Sequence, residues 1–182
     1  MVLNYLYVIN IGKVVSYNML KYVDTKVVFQ EVPDEITLAI NISNCPCNCK
    51  NCHSSYLAQD IGEELNSHSL KKLIDDNKGI TCISFMGGDS SPLDINTLAQ
   101  WVKINYPLKV AWYSGRHELS KDINIKWFSY IKLGPYIEEL GPLNSKTTNQ
   151  KMYEVVPNHY DDGTYGYELE DITYKFFKKH ED

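Results

Sequence analysis

Short apolar and β-branched runs alternate with amphipathic stretches along most of the chain. Strands are predicted for five of these runs, at residues 26–30, 36–42, 80–85, 109–113 and 129–133. Pro33-Asp34 predicts the turn between the first two strands, and Gly87-Gly88 ends the third.

Apolar residues at helical spacing predict helices between the strands. Leu70, Leu73 and Ile74 mark a helix that Ser67 is expected to cap and Gly79 to end. A second helix is predicted near residues 94–105 from the spacing of its apolar residues, which are Leu98, Trp101, Val102 and Ile104. The tail, residues 168–179, predicts an amphipathic terminal helix.

Strands that alternate with helices through short links indicate an α/β fold with a parallel sheet and right-handed crossovers. A full (β/α)8 barrel needs about 250 residues, so the 182 residues here predict a partial, open barrel. We expect one domain over residues 1–182, with a C-terminal extension from about residue 151.

Composition is that of an ordinary globular protein, with 43% hydrophobic and 23% charged residues. The formal net charge of −5 argues against nonspecific binding of nucleic acid, which needs a basic face. Positions 1–11 are apolar but lack the basic start of a signal peptide, and no run approaches the ~20 apolar residues of a membrane span. We therefore expect a cytoplasmic protein that binds neither nucleic acid nor membrane.

Four of the five cysteines lie within eight residues, a crowding that indicates metal or cluster ligation in a reducing compartment. Cys45, Cys49 and Cys52 have the spacing C-x3-C-x2-C. Three thiolates can hold three irons of a cubane cluster and leave the fourth iron open to a small molecule. Such an open corner makes a cluster catalytic. Cys47 is an extra thiol whose role the sequence leaves open.

Two other arrangements of these cysteines stay open at this point. Zinc would be held by one loop alone, through Cys45 or Cys47, Cys49, Cys52 and His53. Structural zinc usually joins segments that are further apart in sequence. A closed cluster would need Cys82 as its fourth ligand, but Cys82 lies in an apolar strand, where a small buried side chain is expected.

Short motifs follow three of the predicted strands: Gly87-Gly88-Asp89, Tyr113-Ser114-Gly115 and Gly134-Pro135-Tyr136. Because the carboxyl ends of parallel strands meet at one edge, we expect these motifs to share a rim with the cysteine loop. Two glycines let the backbone approach a ligand closely, and an acid beside them can pair with an ammonium group.

The three-cysteine loop, followed by a strand that ends in Gly-Gly-acid, resembles the radical S-adenosylmethionine (radical SAM) superfamily. Within it, the chain is similar to the activating proteins of anaerobic (class III) ribonucleoside-triphosphate reductase. The similarity covers roughly residues 22–155 and is carried by Cys52-His53-Ser54, Ser84-Phe85-Met86-Gly87-Gly88-Asp89, Trp112-Tyr113-Ser114-Gly115, Gly134-Pro135-Tyr136 and Thr148-Asn149-Gln150.

The resemblance implies a barrel of the radical SAM type and two cofactors, a [4Fe–4S] cluster and S-adenosyl-L-methionine. Cys45, Cys49 and Cys52 would be the metal ligands. The cofactor-binding residues would be Gly87, Gly88 and Asp89, with Tyr113 and Ser114 in the pocket wall and His53 beside the cluster. No catalytic residue is implied beyond the cluster and the cofactor.

The implied activity is that of an oxidoreductase, a radical SAM activase that reductively cleaves S-adenosylmethionine and generates a glycyl radical on the reductase. Its partners would be that reductase and a flavodoxin- or ferredoxin-like electron donor. Two alternatives stay open. One is a small radical SAM enzyme that acts on a small molecule, similar to a deazapurine synthase, and the other is a non-catalytic metal-binding module.

Four positions depart from the family pattern. Asp89 replaces the commoner Glu, and Asn51 precedes the last cysteine where many superfamily members have an aromatic residue. Residues 30–35 lack the Gly-Pro-Gly-x-Arg stretch of larger activators, and Leu133 stands where some relatives have an acid. The adenine contacts are therefore left unassigned.

Overall fold

The computed structural model describes residues 19–160 and 163–177, which form one eight-stranded sheet and two α-helices. The strands are β1 (Lys21–Val28), β2 (Thr37–Ile42), β3 (Glu63–Glu64), β4 (Cys82–Met86), β5 (Lys109–Tyr113), β6 (Tyr130–Leu133), β7 (Lys151–His159) and β8 (Tyr165–Asp171). The helices are α1 (Ser67–Asp76) and α2 (Pro92–Asn105). Short 3-10 turns occupy Ser55–Ala58, Ile125–Trp127 and Thr173–Phe176.

The strand order is β3-β1-β2-β4-β5-β6-β7-β8. Strands β2, β4, β5 and β6 pair in parallel, and the flanking strands pair antiparallel. The mixed α/β class and the parallel centre of the sheet are thus confirmed. The closer description, a partial (β/α) barrel, stays a prediction, as does the single domain.

Alternate residues of the central strands fill two cores, one on each face of the sheet. On the helix side, Ile83 and Phe85 of β4 are fully buried with the apolar faces of α1 and α2. On the other side, the small side chain of Cys82 packs beneath Val32 and Ile172. Cys82 is thus the buried apolar residue that its position predicted. Packing on both faces fixes the strands and leaves their carboxyl ends to carry a site.

Helix α1 begins one residue earlier than predicted, because Asn66 rather than Ser67 is its cap. The Asn66 side chain accepts hydrogen bonds from the backbone N–H groups of His68 and Ser69, and Ser69 Oγ accepts one from Asn66 N at 2.9 Å. Gly79 lies in the following turn at φ +88°. Neither α1 nor α2, the two α-helices in the described ranges, is long and apolar enough to cross a bilayer.

The helix predicted over residues 168–179 is wrong. Residues 165–171 are strand β8, which pairs along its whole length with β7, and a single 3-10 turn follows within the residues that the structure describes. The apolar residues Tyr165, Tyr167 and Leu169 have the two-residue spacing of a strand, and pairing with β7 satisfies their backbone. Residues 178 and 179 lie outside the described part, as do residues 1–11.

Candidate functional site

The cysteine loop leaves the carboxyl end of β2 and bends sharply three times. Asn44, Asn48 and Asn51 have φ values of +58°, +45° and +56°, in the left-handed region that asparagine tolerates better than other residues with side chains. Backbone hydrogen bonds from Asn44 N to Gln59 O, at 2.9 Å, and from Cys45 N to Leu57 O, at 2.8 Å, close the loop. The alternating asparagines therefore let closely spaced cysteines face the same side.

All four cysteines of the loop line one cavity of about 190 Å³ at the carboxyl ends of the parallel strands. The opposite wall comes from the motifs after β4, β5 and β6 and includes Gly87, Asp89, Tyr113, Ser114, Gly115, Lys132, Gly134 and Tyr136. A second, open cavity of about 490 Å³ adjoins at Asp89 and is lined by Arg116 and His117. The structure thus brings the cysteine loop and the three strand-end motifs together.

Two of the residues predicted to bind the cofactor lie outside the cavity wall. Gly88 is buried behind it, where a Cβ would lie 2.5 Å from Ile95 Cδ1, so its bare backbone lets the turn pack on α2. The exposed ring of His53 packs against Tyr136, with ring centroids 5.5 Å apart. Tyr136 itself lines the cavity, so His53 lies behind a residue of the cavity wall.

The Asp89 carboxylate is fixed in place by hydrogen bonds from its own chain. Ser114 Oγ donates to Oδ1 at 2.5 Å, and Gly115 N donates to Oδ2 at 2.9 Å. Cys47 Sγ is a third donor, 3.5 Å from Oδ2. The residue is only 6% exposed, so its carboxyl group is buried and held in one orientation beside the cysteines.

Tyr113 has a structural task that the sequence did not show. Its hydroxyl donates a hydrogen bond to the Glu31 carbonyl, which links the segment before β2 to the carboxyl end of β5. Burial raises the pKa of Tyr113, so the hydroxyl keeps its proton. Ser114, by contrast, lines the cavity and orients the Asp89 carboxylate by its hydrogen bond.

Lys132 is a site residue that sequence reasoning missed. It lies on β6, is 7% exposed, and lines the cavity opposite the cysteines. Its ammonium donates to the Gly134 carbonyl at 2.5 Å, and no ion pair joins it to a carboxylate among residues 19–160 and 163–177. Burial lowers the pKa of Lys132 to about 8, although the negative charges of Cys49 and Asp89 act in the opposite direction. The sequence did contain one indication of this role, because a single lysine in a strand that is buried on both faces is unusual.

The thiols of Cys45 and Cys47 influence each other. A hydrogen bond from Cys47 lowers the pKa of Cys45 to about 6, and the same contact raises the pKa of Cys47. Cys47 has one hydrogen, so it can serve either Cys45 or Asp89 at a given moment. Within the described residues, no three His, Cys, Asp or Glu side chains are gathered closely enough to hold a single metal ion.

The connection between β6 and β7 holds the cysteine loop from the side. Asn51 Nδ2 donates to Glu138 Oε2 at 2.5 Å. Asn149 Nδ2 donates to the Pro135 carbonyl at 3.0 Å. Gly134 has a φ of +108°, and a Cβ there would make a tight contact of 3.1 Å with Asn149 O. The motifs at residues 134–136 and 148–150 therefore support each other next to the loop.

This donor set fits an iron–sulfur cluster. Soft thiolates on irregular backbone are the ligands that such clusters use. The buried ammonium of Lys132 faces them without a carboxylate partner in the described ranges, so an anionic group in the cavity would be compensated. The lowered pKa of Cys45 also favours the thiolate form that ligation requires.

Comparison with known families gives a match over residues 36–131 to the family described as 4Fe-4S single cluster domain. The matched stretch is just over half of the chain and spans the cysteine loop, Asp89 and Ser114, but it ends before Lys132. Comparison with curated proteins and with solved structures gives no match. The chain belongs to the 4Fe-4S single cluster domain family.

Proposed function

We propose that this protein is a radical SAM activase that generates a glycyl radical on an anaerobic ribonucleoside-triphosphate reductase. The observation that carries the proposal is the shared cavity, in which the cysteine loop faces a buried acid, Asp89, and a buried base, Lys132. When bound, the cluster and S-adenosylmethionine would supply the one-electron chemistry, which is reductive cleavage of the sulfonium and removal of a hydrogen atom from a glycine.

In this proposal Cys45, Cys49 and Cys52 hold the cluster and leave one iron without a protein ligand. Asp89, with Gly87 beside it, binds the amino group of S-adenosylmethionine. Ser114 and Gly115 keep the Asp89 oxygens oriented, so the carboxylate meets an ammonium group without rearranging. Lys132 places a positive charge against the anionic part of the site, which is the cluster with its thiolates or the carboxylate of the cofactor.

The packing of the sheet favours a protein substrate over a small molecule. Val32, Met152 and Ile172 are at most 1% exposed and fill the face of the sheet opposite the helices. The hydrogen bond from Tyr113 to the Glu31 carbonyl closes this face close to the site. A substrate would therefore reach the cavity from the open rim, as a loop of a partner protein can.

The electron donor is proposed to approach the outer side of the cysteine loop. Asn48, Lys50 and Asn51 are exposed there, while the cysteines beside them are half-buried. A flavodoxin- or ferredoxin-like protein could thus come near the cluster without entering the cavity.

The proposal is tested by mixing the reduced, cluster-loaded protein with S-adenosylmethionine and an anaerobic reductase under strict exclusion of oxygen. We expect 5′-deoxyadenosine and a glycyl-radical EPR signal on the reductase. Cys49→Ala is the matched control and should give neither product, whereas Cys82→Ala, which changes a buried core thiol, should give both.

Two results would contradict the proposal. Formation of 5′-deoxyadenosine without a radical on any cognate reductase would indicate an enzyme for a small-molecule substrate. Zinc without sulfide in anaerobically purified protein would indicate a non-catalytic metal-binding module.

A further inference from the structure

Cys47 lies at the junction between the two halves of the proposed site. Its thiol donates a hydrogen bond to Asp89 Oδ2 at 3.5 Å. On the other side it packs against Gly115, the residue whose backbone N–H donates to the same carboxylate oxygen. The middle of the cysteine loop therefore touches both the acid and its support.

Gly115 leaves space for the Cys47 thiol because it has no side chain. A Cβ on Gly115 would lie 2.6 Å from Cys47 Sγ, closer than real Cβ contacts, and 3.0 Å from Cys47 Cβ, so the Cys47 side chain would have to leave its position. Gly115 is not among the glycines with positive φ in the described ranges, so its backbone does not require a glycine. Residue 115 therefore has to be glycine for steric reasons, because the Cys47 side chain occupies the space that a Cβ would need.

The short side chain of Asp89 belongs to the same arrangement. Its Oδ2 atom accepts hydrogen bonds from both Cys47 Sγ, at 3.5 Å, and Gly115 N, at 2.9 Å. Asp89, Gly115 and Cys47 are therefore in mutual contact.

We propose that Cys47 is a positioning residue that holds the cysteine loop against Asp89, and that Gly115 lacks a side chain so that the Cys47 thiol can pack against it. The contact between Cys47 and Gly115 is called the seat below. Cys47 then sets the distance between the iron ligands and the acid that binds the amino group of the cofactor. This part of the inference rests on the proposed function. The seat itself does not, because the contacts of Cys47 with Asp89 and Gly115 involve only residues of this chain.

The first experiment tests the seat by thermal unfolding of the cluster-free protein under reducing conditions. Gly115→Ala should lower the melting temperature by about 4 °C or more, because its Cβ collides with Cys47. Cys47→Ala removes the sulfur, the nearer of the two colliding atoms, so the double variant should recover part of that loss. Additive effects of the two substitutions would overturn the seat.

The second experiment measures the affinity of the cluster-loaded protein for S-adenosylmethionine, from the change that the cofactor causes in the EPR spectrum of the reduced cluster. Cys47→Ala should keep the same iron and sulfide content but bind the cofactor about five- to tenfold more weakly, the effect of one lost hydrogen bond. Cys47→Ser keeps a donor and should stay within about twofold of the wild-type affinity.

The outcomes separate the inference from the proposed function. If wild-type protein does not respond to S-adenosylmethionine, the proposed function fails, and the thermal cycle still decides whether Cys47 is seated on Gly115. If wild-type protein responds and Cys47→Ala binds equally well, the positioning role is wrong. Loss of iron from Cys47→Ala, to the level of Cys49→Ala, would instead make Cys47 a ligand and overturn the inference.

Discussion

Replacement of Lys132 by methionine should change how the stability of the cluster-free protein depends on pH. Lys132 is 7% exposed, and burial lowers its pKa from 10.5 to about 8. Between these two values the unfolded chain binds more protons than the folded chain, so the free energy of unfolding rises with pH. Methionine has a similar shape but cannot titrate, so the variant lacks this rise.

The size of the effect follows from the shift. Because the pKa falls from 10.5 to about 8, the charged lysine costs the folded wild-type protein about 3 kcal/mol at pH 7, and most of that cost disappears once the lysine is neutral. The stability of Lys132→Met minus that of wild type should therefore fall by about 2.5 kcal/mol between pH 7 and pH 10. Loss of the hydrogen bond to the Gly134 carbonyl adds a constant that cancels in this comparison.

The assay is reversible urea unfolding of both proteins, without cluster and with a thiol reductant, at several pH values across this range. Lys72→Met is a matched control, because its ammonium is exposed and a hydrogen bond with Asp76 raises its pKa, so any trend has the opposite sign. A stability difference between wild type and Lys132→Met that is the same at every pH would refute the reasoning, because Lys132 would then not be a buried charge.

Three further predictions concern other parts of the structure. In urea unfolding, Gly88→Ala should destabilise the cluster-free protein by about 1–3 kcal/mol more than Gly79→Ala. Both glycines have nearly the same positive φ, but only a Cβ at residue 88 meets Ile95. Equal losses of unfolding free energy in the two variants would contradict this. Single alanine variants of Cys45, Cys49 and Cys52 should lose the iron and sulfide that Cys82→Ala retains, as measured after anaerobic reconstitution; retention in any of the three would remove that residue from the ligand set. Glu35→Ala should cost about 2–4 kcal/mol, because Thr81 Oγ1 and Lys109 Nζ lose their buried acceptor, whereas Asp75→Ala on the surface should change the urea midpoint little; similar effects of the two would contradict this.

The centre of the fold could be predicted because its strands are short apolar runs between clear turn residues. Strand β5 has the bounds that its sequence predicted, Lys109–Tyr113, since Pro107 precedes it and Ser114-Gly115 follows. The β7–β8 hairpin was missed because the charged residues of β8 resemble the polar face of a helix, and only the pairing of β8 with β7 distinguishes the strand from such a helix. Tertiary context overrode the local preference there.

The candidate site was predictable as a set of motifs but not in its electrostatics. The spacing of the cysteines and the Gly-Gly-Asp motif indicated which loops meet, because the carboxyl ends of parallel strands share an edge. Sequence could not show that Lys132 turns into the cavity, since a lysine in a strand normally reaches solvent. Nor could it show that Cys47 sits on Gly115, which requires the packing of two loops about seventy residues apart in sequence.

The central claim is that three cysteines hold a cubane cluster whose fourth iron is free to bind S-adenosylmethionine. It is tested most directly by Mössbauer spectroscopy of protein reconstituted with the Mössbauer isotope of iron, before and after addition of the cofactor. We expect one iron of the four to change its signal when S-adenosylmethionine is added, while the signals of the three thiolate-bound irons stay the same. Four irons with equivalent Mössbauer signals that do not change when the cofactor is added would contradict the claim.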